Sequence, residues 1–364
     1  MKHIFRVLPI IVLIVMGHFS TIAQKKYDKL LQKADSRYEY GDYKKALKYL
    51  ISFEHKIKKL GDNSKYHPQY YVREARFYLA SGLLSGFSES LDKAQSSAVV
   101  AFGENSENHL EIMLEISDVY IMYGNYQKAL SYSNQVLANW KEQDHSEALK
   151  ARAELNYATI LSAQGFYQEA LKFITDRDPY FKSRLGNRDV IVDDAGNEDK
   201  IKLKEKEIIA RHADYAHLLS LKAKTLGSMG EIEKAYTAYE FARDWIADEK
   251  KFLGDQSYEY IEHQFAFANF KVENGLDPEE LGRGDHKEEG YNRILNNLQR
   301  GHDTGHILAF DIFETILKQY LINQRHSRYR DKRIEYEKAI SKNFSKNLEI
   351  KKLTQIGIIL LTIV

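Results

Sequence analysis

Gly124-Asn125-Tyr126-Gln127-Lys128-Ala129-Leu130 is the stretch from which the rest of the chain can be read. Its pattern recurs at Gly41-Asp42-Tyr43-Lys44-Lys45-Ala46-Leu47, at Gly165-Phe166-Tyr167-Gln168-Glu169-Ala170-Leu171 and at Gly230-Glu231-Ile232-Glu233-Lys234-Ala235-Tyr236. Apolar positions at helical spacing precede each glycine, which places it where one helix stops and the chain reverses. The aromatic or aliphatic residue two places on plugs the junction between the two helices. The alanine five places after the glycine has a minimal side chain and lets the second helix approach the first. Turns are expected at Gly41, Gly124, Gly165 and Gly230, and at Gly86 for a degenerate unit carrying Phe87 and Leu91. Ala46, Ala129, Ala170 and Ala235 should be buried at helix crossings.

The helix before each glycine carries matching positions: Leu30, Ala34 and Arg37, then Met113, Ser117 and Tyr120, Glu154, Ala158 and Leu161, and Leu219, Ala223 and Leu226. Together with the glycine–aromatic–alanine offset these residues resemble the tetratricopeptide repeat (TPR), a helix–turn–helix unit. Arg37 and Glu154 depart from its usual large hydrophobes, so those helices should pack less ideally. Gly124 and Gly165 are 41 residues apart, and Gly61 and Gly103, which mark a second turn between units, are 42 apart. That spacing is similar to the long, 42-residue variety of kinesin light chains and many bacterial signalling proteins. The resemblance implies an all-α, right-handed α-solenoid whose first helices line a concave face.

Composition narrows the function. Of 364 residues, 43% are hydrophobic and 29% charged, which are globular proportions. There is no cysteine, which excludes disulfides, thiolate zinc sites and cysteine nucleophiles. The formal charge of +1 supplies no global pull toward nucleic acid or an anionic membrane.

The two ends and one insertion interrupt the array. Residues 1–23 read as a signal peptide: Lys2, His3 and Arg6 precede the apolar run Val7–Met16, and Thr21-Ile22-Ala23 offers a cut before Gln24. The chain is expected to be exported to the periplasm of a bacterium or secreted. Repeats are expected over 24–175 and again over 206–275, with an insertion at 176–205 between them. Within the insertion, two alternating arms flank a turn-rich centre over about 190–203, the signal of a β-hairpin. A connector is expected at 276–303 and C-terminal helices with an apolar tail at 304–364. That tail, Leu353 to Val364, is too short for the ~20 residues of a membrane span. It suggests truncation before a transmembrane helix, and only in that case membrane attachment.

No constellation for chemistry emerges. Asp193, Asp194, Asn197 and Asp199 vaguely suggest a calcium loop but lack the donor spacing of an EF-hand. His302 and His306 are four apart without the glutamate of a metalloprotease helix. Arg283-Gly284-Asp285 is an adhesion tripeptide that chance readily produces. The chain is therefore read as a non-enzymatic scaffold without metal or cofactor, whose partner is a protein or peptide segment and not nucleic acid. The alternative is the sensory ectodomain of a truncated membrane-anchored signalling protein of histidine-kinase or regulator type. The resemblance places Leu31, Asp35, Leu114, Asp118, Ile121, Leu155, Thr159, Ser220 and Lys224 in the concave groove. Their mixed apolar and acidic character suits a basic or amphipathic segment.

Overall fold

The computed structural model describes residues 26–38, 42–80, 84–142, 146–185, 198–247, 257–276, 287–301, 307–322 and 324–343. Among these, fourteen helices follow one another as hairpins. The first is residues 26–38 (α1), paired with α2 (Tyr43–Ile57). Then come α3 (Tyr66–Ala80) with α4 (Leu84–Phe102), α5 (Glu107–Tyr123) with α6 (Tyr126–Glu142), and α7 (Glu147–Ala163) with α8 (Tyr167–Ser183). The series continues with α9 (Glu198–Ser228) and α10 (Ile232–Ala247), α11 (Tyr258–Glu273) and α12 (Lys287–Gly301), and α13 (Ile307–Ile322) and α14 (His326–Asn343).

One local device makes the hairpin turns among the described residues. Gly124, Gly165 and Gly230 have φ of +80°, +88° and +78°, a left-handed conformation that glycine adopts without a Cβ penalty. The next residue then bonds back across the helix end. Asn125 N–H reaches the Tyr120 carbonyl at 2.9 Å, Phe166 that of Leu161 at 2.9 Å, and Glu231 that of Leu226 at 3.1 Å. Asp42 N–H does the same to Arg37 at 2.9 Å. The carboxylate of Asp42 and the amide oxygen of Asn125 also accept from the N–H groups of Lys45 and Lys128, each at 3.2 Å, so one side chain caps the incoming helix. The same back-bond recurs at Leu276 to Lys271 and Arg325 to Tyr320, marking two further hairpin turns that lack the full motif.

Ala46, Ala129, Ala170 and Ala235 are all buried, as their offset requires. At the third hairpin Ser117 Oγ donates to the Ala129 carbonyl at 3.0 Å, which shows how closely the two backbones approach. The core is a succession of clusters shared by consecutive helices. One joins Val72 and Ala75 of α3, Leu91 and Ala94 of α4, Ile112 and Ile116 of α5. Glu154 stands at a position where a hydrophobe is usual, and Arg177 of α8 ion-pairs with both Glu154 and Glu147. The architecture is a TPR-like α-solenoid.

Three expectations are corrected. Gly86 is not a turn: it lies inside the first turn of α4, where a Cβ would come within 2.6 Å of the Tyr78 ring. Leu84 opens α4 as Tyr43, Tyr126, Tyr167 and Ile232 open their helices, so the glycine in register is Gly82, outside the described residues. The β-hairpin is not seen: its second arm, Lys200 to Leu203, belongs to α9. Lysine, glutamate and leucine are strong helix formers, and they dominate the sequence from residue 200 to 207. In place of much of the connector stands α12, whose Tyr291, Leu295 and Leu298 are buried. Residues 1–25, most of the calcium-like loop, the adhesion tripeptide, His302 with His306, and the apolar tail lie outside the described residues.

The last repeats meet the first. Tyr43 and Phe77 share one apolar cluster with Ile261, Tyr291, Phe310 and Phe313. The solenoid therefore comes round upon itself within seven hairpins.

Candidate functional site

Polar groups on neighbouring first helices cross-link at a fixed interval. Tyr66 Oη donates to Asp28 at 2.9 Å, and Arg73 grips Asp35 through Nε at 2.7 Å and Nη2 at 2.9 Å. Tyr38 Oη donates to the Arg76 carbonyl at 3.4 Å, and Asn156 Nδ2 to Asp118 at 2.6 Å. Each pair is 38 residues apart, one helical turn less than the 42-residue spacing of the chain's markers.

A cavity of about 490 Å³ opens where α5, α7, α9 and α11 converge. Ile121, Thr159, Ser220 and Lys224 line it, so four of the nine residues placed in the groove by sequence are brought together. Asp118 lies on the same row, within 3.6 Å of Arg152. Burial pushes its carboxyl up, against the pull of Arg152. Asp35 lines a separate pocket of about 220 Å³ between α1, α2 and α3.

Leu31, Leu114 and Leu155 do not face the groove. They are 5%, 0% and 7% exposed, covered by the next first helix along the array. Leu31 packs under Tyr66 and Tyr70, Leu114 against Leu149 and Ala153, and Leu155 beside Tyr215. A residue one turn ahead of a groove position shares its side of the helix, yet the inclined neighbour closes over it.

Sequence reasoning missed several groups that the fold adds to the cavity. His217 lies one turn from Ser220 and 3.3 Å from Thr159 Oγ1. Its spacing to Ser220 and Lys224 on one helix face could have found it. Desolvation by the groove walls, then Lys224, lowers its pKa. His263 arrives from α11 and no local signal announces it. Its Nε2 is 2.8 Å from the Tyr239 carbonyl, which can only accept, so that nitrogen carries the proton and Nδ1 accepts from Ser220 Oγ at 2.8 Å. Burial pushes the His263 pKa down to about 4. Glu259, half-buried, and Glu262, exposed, complete the rim, and desolvation by the groove walls raises the pKa of both.

The cavity thus offers two carboxylates, one ammonium and two neutral imidazoles beside the apolar flanks of Ile121, Tyr126 and Tyr167. Ser220 and His263 are spent on each other and on the backbone, and what remains accessible suits recognition. Among the described residues no group of three histidine or acidic side chains is placed to hold a metal ion. No helix among them is long and apolar enough to cross a membrane.

No protein-family model and no curated protein matches the chain. Among solved structures it is similar to TPR-like repeats of a kinesin-light-chain type from Podosopora anserina, at 16% identity over 64% of this chain and 95% of that one, with a TM-score of 0.38. It is similar to NprR in complex with its cognate peptide NprX, at 16% identity over 87% of this chain and 78% of that one, with a TM-score of 0.46. It is also similar to the apo form of the quorum sensor NprR from B. thuringiensis, at 14% identity over 88% and 99%, with a TM-score of 0.32.

Proposed function

We propose that the protein is a non-enzymatic scaffold that holds a basic or amphipathic peptide segment on its concave side. The observation that carries this reading is the cavity of about 490 Å³ with an acidic surplus, Glu259 and Glu262 against Lys224, beside apolar walls. A cationic side chain entering there meets carboxylates in a partly desolvated setting, where charge complementarity selects partners more strongly than in open water. Export is part of the proposal and rests on residues 1–23. So is membership of the long-repeat variety, supported by the starts of α2, α4, α6 and α8 at Tyr43, Leu84, Tyr126 and Tyr167.

Panning a random peptide display library on the folded chain tests the reading. Selected peptides should be rich in lysine and arginine. They should lose about tenfold or more in affinity on Glu262→Lys and on Thr159→Trp, which respectively reverse a rim charge and fill the cavity. Peptides that bind both variants as well as the parent chain would overturn the proposal.

A further inference from the structure

The pocket between α1, α2 and α3 is chemically unlike the acidic cavity. Its walls are the apolar side chains of Ala34, Ala46, Leu50 and Phe77 with the ring of Tyr38. Two guanidiniums, Arg73 and Arg76, enter it against a single carboxylate, Asp35. Arg73 is committed, since it grips both oxygens of Asp35. Arg76 is not. Its Nε is buried without a hydrogen-bond partner, and the carboxylate its charge reaches, Asp118 of α5, is already held by Asn156 and Arg152. A buried charged donor left without an acceptor is costly, and native structures seldom tolerate one without a role for it.

Asp35 read as an acidic groove position in the sequence, but its pairing with Arg73 cancels that charge and leaves Arg76 as the charged group of the pocket lining without an ion pair there. The volume is about 220 Å³. An apolar cavity of roughly 150 Å³ admits benzene, so this one has room for a branched aliphatic group and a carboxylate together. Arg73 and Asp35 are partly exposed, which keeps the pocket reachable from solvent.

We propose that this pocket binds an amphiphilic carboxylate: a single carboxylate on a compact aliphatic body of about the size of a leucine. The carboxylate takes the uncommitted Arg76, and the aliphatic body replaces water against Leu50, Phe77 and the two alanines. The proposal concerns different residues from the peptide cavity and does not depend on it.

Calorimetric titration of the full chain with acetyl-Gly-Gly-Leu, its C-terminal amide and 4-methylpentanoate is the test. The tripeptide acid should bind, and the amide should bind about tenfold or more weakly, the loss expected when a hydrogen bond to a charged group is removed. Arg76→Gln with an unchanged circular dichroism spectrum should lose the acid to the same degree, whereas Glu262→Lys and Thr159→Trp should keep it. If 4-methylpentanoate matches the tripeptide, the ligand is a free small acid; if it is weaker, the ligand is a peptide end. Either result supports the site. Equal binding of acid and amide, no binding of any of the three, or full binding by folded Arg76→Gln would overturn it. Should Arg76→Gln fail to fold, the acid–amide comparison on the unaltered chain decides alone.

Discussion

His263 shows what a single residue contributes. It is 1% exposed, its proton is fixed on Nε2 by the Tyr239 carbonyl, and burial holds its pKa at about 4. In the unfolded chain the imidazole titrates near 6.5. Between these values the unfolded state binds more protons than the folded one, so stability from this group is present above pH 6.5 and is lost as pH falls toward 4. The shift corresponds to an upper bound on the order of 3 kcal/mol. Urea unfolding at pH 7, 6 and 5 should show a decline that is flatter in His263→Gln, although that variant is less stable throughout. The raised carboxylates Asp118, Asp214, Glu259 and Glu262 act with the opposite sign and do not explain such a decline. A parallel pH profile in the variant would count against the assignment. None of this could be read from sequence, because the partners of His263 come from α9 and α10, far along the chain. The glycine–alanine offset was readable because turn and crossing lie within six residues. Gly86 misled because its neighbour Phe87 mimics the motif, although Gly82 keeps the better spacing of 41 and 42 residues from Gly41 and Gly124.

At the scale of the element, the small residue at each crossing sets the distance between helices. Ala129 is fully buried, and Ser117 bonds both its carbonyl and the Ser133 hydroxyl at 3.0 Å. Ala129→Leu has no space to enter and should cost roughly 1–3 kcal/mol, measured as a lowered thermal midpoint. An unchanged midpoint would mean that the crossing is looser than these contacts require. The same scale explains the misread insertion. The alternation of Lys200-Ile201-Lys202-Leu203 has the period of a strand, but the chain continues with Lys204-Glu205-Lys206-Glu207, and propensity summed over the longer window favours helix. A short period-two run cannot be judged without its neighbours. Leu31, Leu114 and Leu155 teach the complementary lesson: helical spacing tells which side a residue takes, while depth depends on the next repeat.

For the whole molecule the principal departure from a simple repeat array is the contact between its ends. An open solenoid couples each repeat only to its neighbours. Here Tyr43, 1% exposed, shares a cluster with residues of α11, α12 and α13, more than two hundred residues further along. Tyr43→Ala should destabilise by roughly 3 kcal/mol. Amide hydrogen exchange should then rise in α11 and α13 as well as in α2 and α3. A rise confined to residues 43–80 would show that the ends are energetically independent.

That contact also determines how the protein bears load. Tension applied near residues 26 and 343 should load the side-chain contact around Tyr43. This seam is a patch of side chains, so it should part while the helices keep their own hydrogen bonds. Pulled in a force spectrometer, the molecule should therefore lengthen in a first step that keeps its helices, as a latched spring would.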